Sequence, residues 1–423
     1  MEALASLSVP ASRDDPAAPH GGRTLRDLSA RLDRIAPSAT SGMRTIANEL
    51  KARGVPVANF AAGELDFTPP DIVKRKGVAA IEANHSTYTA TLGLPALREE
   101  LARWMSKRTD CRYEAGEIAL TAGAKQALFN AASVLIDPYD EAIIPAPYWV
   151  TFPTQIALQG GTPVFIDTKP RGYRLLARDV ERAVNPRTRM ILLNSPHNPT
   201  GTVIAERELE AIGRLAVERD LWVIFDECYA SFVREGSRHR TIVELVPEAK
   251  DRTILVNSFS KTLAVTGWRL GYAAGPAHVV SAMAKLQGHT TSNPNSVSQH
   301  ALSGCLGTPE CEAFIDVVNA ELGERLDAAT AILSDVPGVS WAPAEGAFYI
   351  FLDVSSAFGR RSGTSTIRDV DHFCEVALEE AKVALVAGSA FGDASSVRIS
   401  YAIARRDLID GLSRLSDFLK ALH

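Results

Sequence analysis

Lys261 follows two serines in Ser258-Phe259-Ser260-Lys261, directly after the apolar run Ile254-Leu255-Val256, and Arg269 comes shortly after in Thr266-Gly267-Trp268-Arg269. A primary amine held at a strand end can form an imine with an aldehyde. Hydroxyls before it and a guanidinium after it are groups that grip a phosphate. Together they suit a phosphorylated aldehyde cofactor. A Ser-x-Ser-Lys string alone describes a solvated loop lysine equally well, so the decision rests on residues further up the chain.

Asp226 directly follows Trp222-Val223-Ile224-Phe225, which puts a carboxylate at the end of an apolar strand. An unpaired charge there is costly, so a cationic partner is expected; capping of the next helix is the structural alternative. Tyr229 lies three residues on, and Asn198 sits in His197-Asn198-Pro199-Thr200-Gly201 after another strand. Both can donate a hydrogen bond, although a packed tyrosine and a turn residue before proline are ordinary features. Trp149, in Pro147-Tyr148-Trp149, can cover the face of a flat ring. Thr121-Ala122-Gly123-Ala124-Lys125-Gln126 joins a strand to a helix through small residues, leaving the N–H groups of Gly123, Ala124 and Lys125 available to an anion. Arg269, Ser258 and Ser260 complete that cup. An imine-forming lysine, an acid for a pyridine nitrogen, a stacking aromatic, donors for a phenolic oxygen and a phosphate cup are what a protein supplies to pyridoxal 5'-phosphate. Arg398, inside the apolar run Val397-Arg398-Ile399-Ser400-Tyr401, needs an anion: either a substrate carboxylate or an internal Asp or Glu.

The elements that must position these residues are short apolar runs alternating with helical patterns. Ile118-Ala119-Leu120, Ala142-Ile143-Ile144, Val164-Phe165-Ile166, Met190-Ile191-Leu192-Leu193, Trp222-Val223-Ile224-Phe225 and Ile254-Leu255-Val256 are continuously apolar, as in parallel strands buried on both faces. Functional residues are then expected at their carboxyl ends. Beyond residue 305 the pattern changes. Helices are expected near 312–333, 371–382 and 406–422, with strands at Phe348-Tyr349-Ile350-Phe351-Leu352 and Val397-Arg398-Ile399-Ser400. Two helical pieces around Pro37, the second ending at Gly54, are expected to pack with this part. The expected division is a mobile tail over 1–26, a small domain over 27–71 and 305–423, and a large cofactor-binding domain over 72–304.

The chain has 423 residues, 46% of them hydrophobic, with a net charge of −5. It is long enough for two globular parts with a cleft, and no basic field suits nucleic acid or an anionic membrane. No apolar run approaches the roughly 20 residues needed to span a bilayer. Five cysteines without CxxC spacing argue against a zinc site or disulfide framework and fit a reducing cytoplasm.

Taken jointly, the strings from Tyr88-Thr89 to Gly93-Leu94-Pro95, Pro147-Tyr148-Trp149, Asn194-Ser195-Pro196-His197-Asn198-Pro199-Thr200-Gly201, Asp226-Glu227-Cys228-Tyr229, Ser258-Phe259-Ser260-Lys261 and Thr266-Gly267-Trp268-Arg269 resemble the class I aminotransferases of the aspartate aminotransferase family, prokaryotic branch. The resemblance implies the α/β fold type I of pyridoxal phosphate-dependent transferases: a large domain with a mostly parallel seven-stranded sheet, plus a smaller α+β domain. It implies a cofactor covalently attached to Lys261, with Lys261, Asp226 and Tyr229 catalytic. It implies a homodimer in which Tyr88 reaches the partner's phosphate site. Gly63, Trp149, Asn198 and Arg398 would meet the substrate, and Lys125 and Thr40 the distal carboxylate of acidic substrates. The implied reaction moves an amino group between an aspartate- or glutamate-like amino acid and a 2-oxo acid such as 2-oxoglutarate. The same constellation also serves β- or γ-elimination, replacement or oxidation on related enzymes, and a binding protein on a degenerate fold would look similar overall. Leu65 and Ala387 stand where the family usually has proline, and Ala36 where some members acting on prephenate have a basic residue.

Overall fold

The apolar runs pair into one seven-stranded sheet. The computed structural model describes residues 29–37 and 39–423, with backbone only for Ala30 and residues 39–41. The expected tail over 1–26 therefore lies outside the described residues. In sheet order the strands are Ile118–Thr121, Gly271–Ala274, Thr253–Ser258, Trp222–Asp226, Thr188–Asn194, Glu141–Ala146 and Thr162–Asp167. All run in one direction except Gly271–Ala274, which is antiparallel to both neighbours. That reversed strand carries the small-residue run Gly271-Tyr272-Ala273-Ala274 and has no strongly apolar signature, which is why no strand is expected there from the six runs.

Continuous apolarity has the anticipated cause, because successive side chains point to opposite faces. Leu192, Ile224, Ile254 and Val256 enter one buried cluster. Ile191, Leu193, Val223, Phe225 and Leu255 enter another on the opposite face. The strand Thr162–Asp167 departs from the expectation. It is the sheet edge, so Val164 and Phe165 are only partly covered, Phe165 being 49% exposed, while Ile166 is buried; Phe165 stacks on Tyr148 at 4.8 Å between ring centroids.

The C-terminal part builds a four-stranded antiparallel sheet in the order Val386–Ala387, Ser396–Ser400, Tyr349–Asp353, Ser340–Trp341. Its long helix Pro309–Ser334 starts where the sequence says a helix should, with Pro309 at the first position and the Thr308 hydroxyl accepting from the Cys311 N–H. The helix expected near 371–382 is α-helical over Val370–Val376 and finishes in a π-turn over Ala377–Ala381. The last helix is Arg405–Ala421. Before residue 60, a 3₁₀ turn Ala30–Arg34 and an α-helix Ala39–Ala52 flank Pro37. Ala47 and Val57 bury themselves against Ala384, and Ala58–Asn59 pairs in parallel with Val383–Ala384. The start of the chain thus packs on its end. Among the described residues, no helix is long and apolar enough to cross a membrane.

Candidate functional site

The carboxyl ends of the parallel strands fall side by side. Asn194 and Asp226 are register partners at the ends of their strands, and Ser258 and Thr121 both face Gly271. A cavity of about 500 Å³ opens there, within the range of small-molecule sites.

Lys261 enters it from a one-turn helix, Phe259–Thr262, that begins as soon as its strand ends. The Ser258 hydroxyl accepts the Ser260 N–H at 3.1 Å and so caps that turn. The lysine amine donates to the Gly63 carbonyl. Burial, above all, brings its pKa down from 10.5 to about 8, because a low-dielectric surround disfavours the ammonium form.

Asp226 is buried, and one of its oxygens accepts the Cys228 N–H at 3.0 Å. That bond closes a turn and is not the helix cap anticipated as the structural alternative, since the next helix begins only at Ile242, and it does not neutralise the charge. Among the described residues no lysine or arginine forms an ion pair with Asp226, and burial pushes its carboxyl up to about 6. A buried acid in that state favours a cation brought by a ligand. The same strand end sets Asn198: the Asn194 amide donates to the Asp226 carbonyl at 2.9 Å, and its oxygen accepts the Asn198 N–H at 2.9 Å.

Arg398 reaches the cavity from the middle of the strand Ser396–Ser400. Its guanidinium is only 2% exposed, donates to the Asn198 side-chain oxygen at 3.0 Å and to the Ala61 carbonyl at 2.9 Å, and leaves Nε without a partner. The ring of Tyr349 lies 4.5 Å below it and that of Phe391 at 5.2 Å. Among the described residues no Asp or Glu pairs with it, which removes the internal salt bridge left open by the sequence. The Tyr229 hydroxyl is 2.9 Å from that of Tyr349, and burial raises the pKa of both phenols.

At the far end, the helix Ala124–Leu135 starts at Gly123, whose φ of 81° lies in the left-handed region that favours glycine. A Cβ there would sit 2.6 Å from an Arg269 nitrogen. Arg269, itself left-handed at φ 54°, is held across the helix start by the Thr266 carbonyl at 3.0 Å and the Ala122 carbonyl at 3.3 Å. The Ser258 hydroxyl donates to that of Ser260 at 2.7 Å. The N–H groups of Ala124 and Lys125, two hydroxyls and a guanidinium thus share one end of the cavity, whereas the Gly123 N–H, expected to be available, donates to the Thr121 carbonyl at 2.7 Å. The Lys125 amine rests 5.0 Å over the Trp149 ring.

The cavity is lined by Gly63, Ala124, Lys125, Trp149, Asn198, Asp226, Tyr229, Ser258, Ser260, Lys261, Arg269 and Arg398 of the residues anticipated from sequence; Gly123 is not among the lining residues and caps the helix that begins at Ala124. Tyr88 is not brought in; it is 87% exposed on the surface. Thr40 lies in the helix Ala39–Ala52, but its side chain is outside the described residues. The cavity also recruits Arg44, Glu64, Cys228, Thr266 and Tyr349, which sequence reasoning did not assign. Tyr349 carried one usable signal. It is two residues from Phe351, the register partner of Arg398, and so shares that residue's face of the sheet.

These groups fit pyridoxal phosphate on the structure's own terms: a depressed amine, a buried acid without a cation, an anion cup and a free guanidinium edge surround one cavity. An α/β fold that ends an amine and an acid on neighbouring strands around such a cleft is that of the fold-type-I pyridoxal phosphate enzymes. A family model described as aminotransferase class I and II matches residues 55–414. The aspartate aminotransferase of Geobacillus stearothermophilus is 37% identical over 395 residues, covering 93% of this chain and 99% of that protein. The probable aspartate/prephenate aminotransferase of Aquifex aeolicus is 37% identical, covering 94% and 100%. Among solved structures, the aspartate aminotransferase of Thermus thermophilus with maleate superposes with a TM-score of 0.87 at 35% identity, covering 93% of this chain and 100% of that one. The chain belongs to the class I and II aminotransferases and is an aminotransferase; members of this family use pyridoxal phosphate.

Proposed function

We propose that this enzyme moves the amino group of an acidic L-amino acid, aspartate- or glutamate-like, to a 2-oxo acid such as 2-oxoglutarate, with pyridoxal phosphate attached covalently through Lys261. The observation that carries the reading is Arg398: a buried guanidinium with two neutral acceptors, an open edge and no carboxylate. A bidentate α-carboxylate completes it. The relatives, named for aspartate or aspartate/prephenate, support the acidic side chain.

When bound, the cofactor carries the amino group and withdraws electrons from the substrate's α-carbon. The chain's own residues do the rest. Arg398 and Asn198 fix the α-carboxylate. Asp226 holds a proton on the pyridine nitrogen, which strengthens electron withdrawal and relieves its own burial. Lys261, its pKa brought down by burial to about 8, gives up its proton far more readily than a surface lysine and is the general base at the α-carbon. Tyr229 and Asn198 orient the ring through its phenolic oxygen, and Trp149 covers its face. The backbone of the Gly123-Ala124-Lys125 turn, the Ser258 and Ser260 hydroxyls and the Arg269 guanidinium hold the phosphate.

A homodimer with shared sites accompanies this reading. Tyr88, Val78 and Ile81 are large apolar residues left exposed, which burial against a second copy would cover, and five free thiols suit a reducing cytoplasm. Borohydride treatment of the loaded enzyme should add the cofactor's mass to the Lys261 peptide. Lys261→Ala should lose both that adduct and turnover, and an active, unlabelled wild type would overturn the assignment.

A further inference from the structure

We propose that Arg44 is a specificity-determining residue, the cation that grips the distal acid group of the substrate. This deepens the proposed function and rests on it.

Five basic side chains line the cavity, Arg44, Lys125, Lys261, Arg269 and Arg398, against two acids, Glu64 and Asp226. Most are committed by the proposed reading. Arg269 faces the phosphate, Arg398 the α-carboxylate, Lys261 the cofactor's carbonyl carbon and Asp226 its ring nitrogen. Arg44 and Lys125 remain, opposed by Glu64 alone. That surplus of one positive charge matches one further anionic group on the substrate.

The geometry favours Arg44 as the grip. Its guanidinium is 3.9 Å from a Glu64 oxygen, beyond hydrogen-bond reach, with both side chains about half exposed. Loose, solvated pairs of this kind contribute little. Glu64 is held elsewhere, its other oxygen accepting the Thr266 hydroxyl at 2.9 Å. Arg44 is therefore tethered near the opening without being used up. The Lys125 amine is engaged over the Trp149 ring. A guanidinium also offers a carboxylate two parallel N–H bonds and stays charged at every working pH, which an ammonium does not. Arg44 sits on the helix Ala39–Ala52, so its reach into the cleft depends on the packing of the chain's start against its end.

The test uses the loaded enzyme and maleate, a four-carbon dicarboxylate that cannot be transaminated, with binding measured by calorimetry beside steady-state kinetics. Arg44→Gln should weaken maleate about tenfold or more, the loss of one charge-assisted contact. It should raise KM for L-aspartate and 2-oxoglutarate by a similar factor, with kcat and the half-reaction with L-alanine nearly unchanged. Arg44→Lys should recover part of the affinity. Because Arg44 is half exposed, its melting temperature should stay that of the wild type. Unchanged maleate affinity in Arg44→Gln, with the loss appearing only in Lys125→Gln, overturns the proposal. Failure of the underlying reading looks different: the wild type itself would then neither bind maleate nor react with any acidic amino acid.

Discussion

Arg398 lies 4.5 Å over the ring of Tyr349, so the group proposed to bind the α-carboxylate rests on a platform whose own hydroxyl is tied to Tyr229. Gly63 crowds the same hydroxyl: a Cβ there would fall 2.9 Å from it. Gly63→Ala should therefore push the Tyr349 ring and tilt the guanidinium above it. The expected result is an amino-acid KM raised about tenfold, as a misplaced binding group costs, with cofactor content unchanged by absorbance.

Tyr349→Phe removes the 2.9 Å contact with Tyr229 and keeps the ring. Urea unfolding should show a loss of about 1 kcal/mol, the net worth of one hydrogen bond. Arg398 should keep its platform, so substrate KM should change less than in Gly63→Ala.

Removing the Arg398 charge should be far more severe. Arg398→Gln leaves the substrate carboxylate without its bidentate partner, and roughly 2–5 kcal/mol of binding is at stake in such a pair. Steady-state kinetics should show kcat/KM for amino and oxo acids falling by two orders of magnitude or more, with the lysine-bound cofactor still present.

Asp226 makes the cofactor-free protein sensitive to pH in a defined direction. Its folded pKa of about 6 lies above the ordinary 3.8, so the unfolded chain loses this proton first as pH rises. The group's contribution to stability therefore falls between about pH 4 and pH 6 and stays low above. Cofactor-free Asp226→Asn should be more stable than wild type at pH 8 by on the order of 3 kcal/mol. The two should converge as pH falls towards 4 in urea titrations. Turnover of the loaded variant should collapse, since a neutral amide cannot hold the ring nitrogen's proton.

Lys261 is brought down to about 8, so its amine should react as a free base well below the range of surface lysines. Labelling of the cofactor-free protein with trinitrobenzenesulfonate, followed by peptide mass spectrometry, should show the Lys261 peptide modified with a midpoint near pH 8. A midpoint near 10 would show the amine to be solvated.

Most of the residues that meet around the cavity were legible in the chain. Lys261, Asp226, Asn198 and the Gly123 turn each follow an apolar run, and parallel strands deliver whatever ends them to one edge of the sheet. The sheet's edge was not legible. Val164-Phe165-Ile166 has the same apolarity as its buried neighbours, and only its place in the strand order leaves Phe165 uncovered. The reversed strand Gly271–Ala274 was hidden for the opposite reason. Its glycine is required because a Cβ at Gly271 would sit 2.6 Å from the Ala124 nitrogen, a constraint of contact with a helix start far away in sequence.

The amino-acid order alone determined which chemical groups are available and which strand end carries each, because side-chain alternation and the run from strand to turn are local properties of the backbone. Which groups meet was decided only in three dimensions. Arg398 and Asn198 are hydrogen-bonded across 200 positions of the chain, and Tyr349, Glu64 and Arg44 join them because the two ends of the polypeptide fold back over the sheet. No local signal encodes such a meeting; it follows from burying apolar faces that only the complete chain can cover.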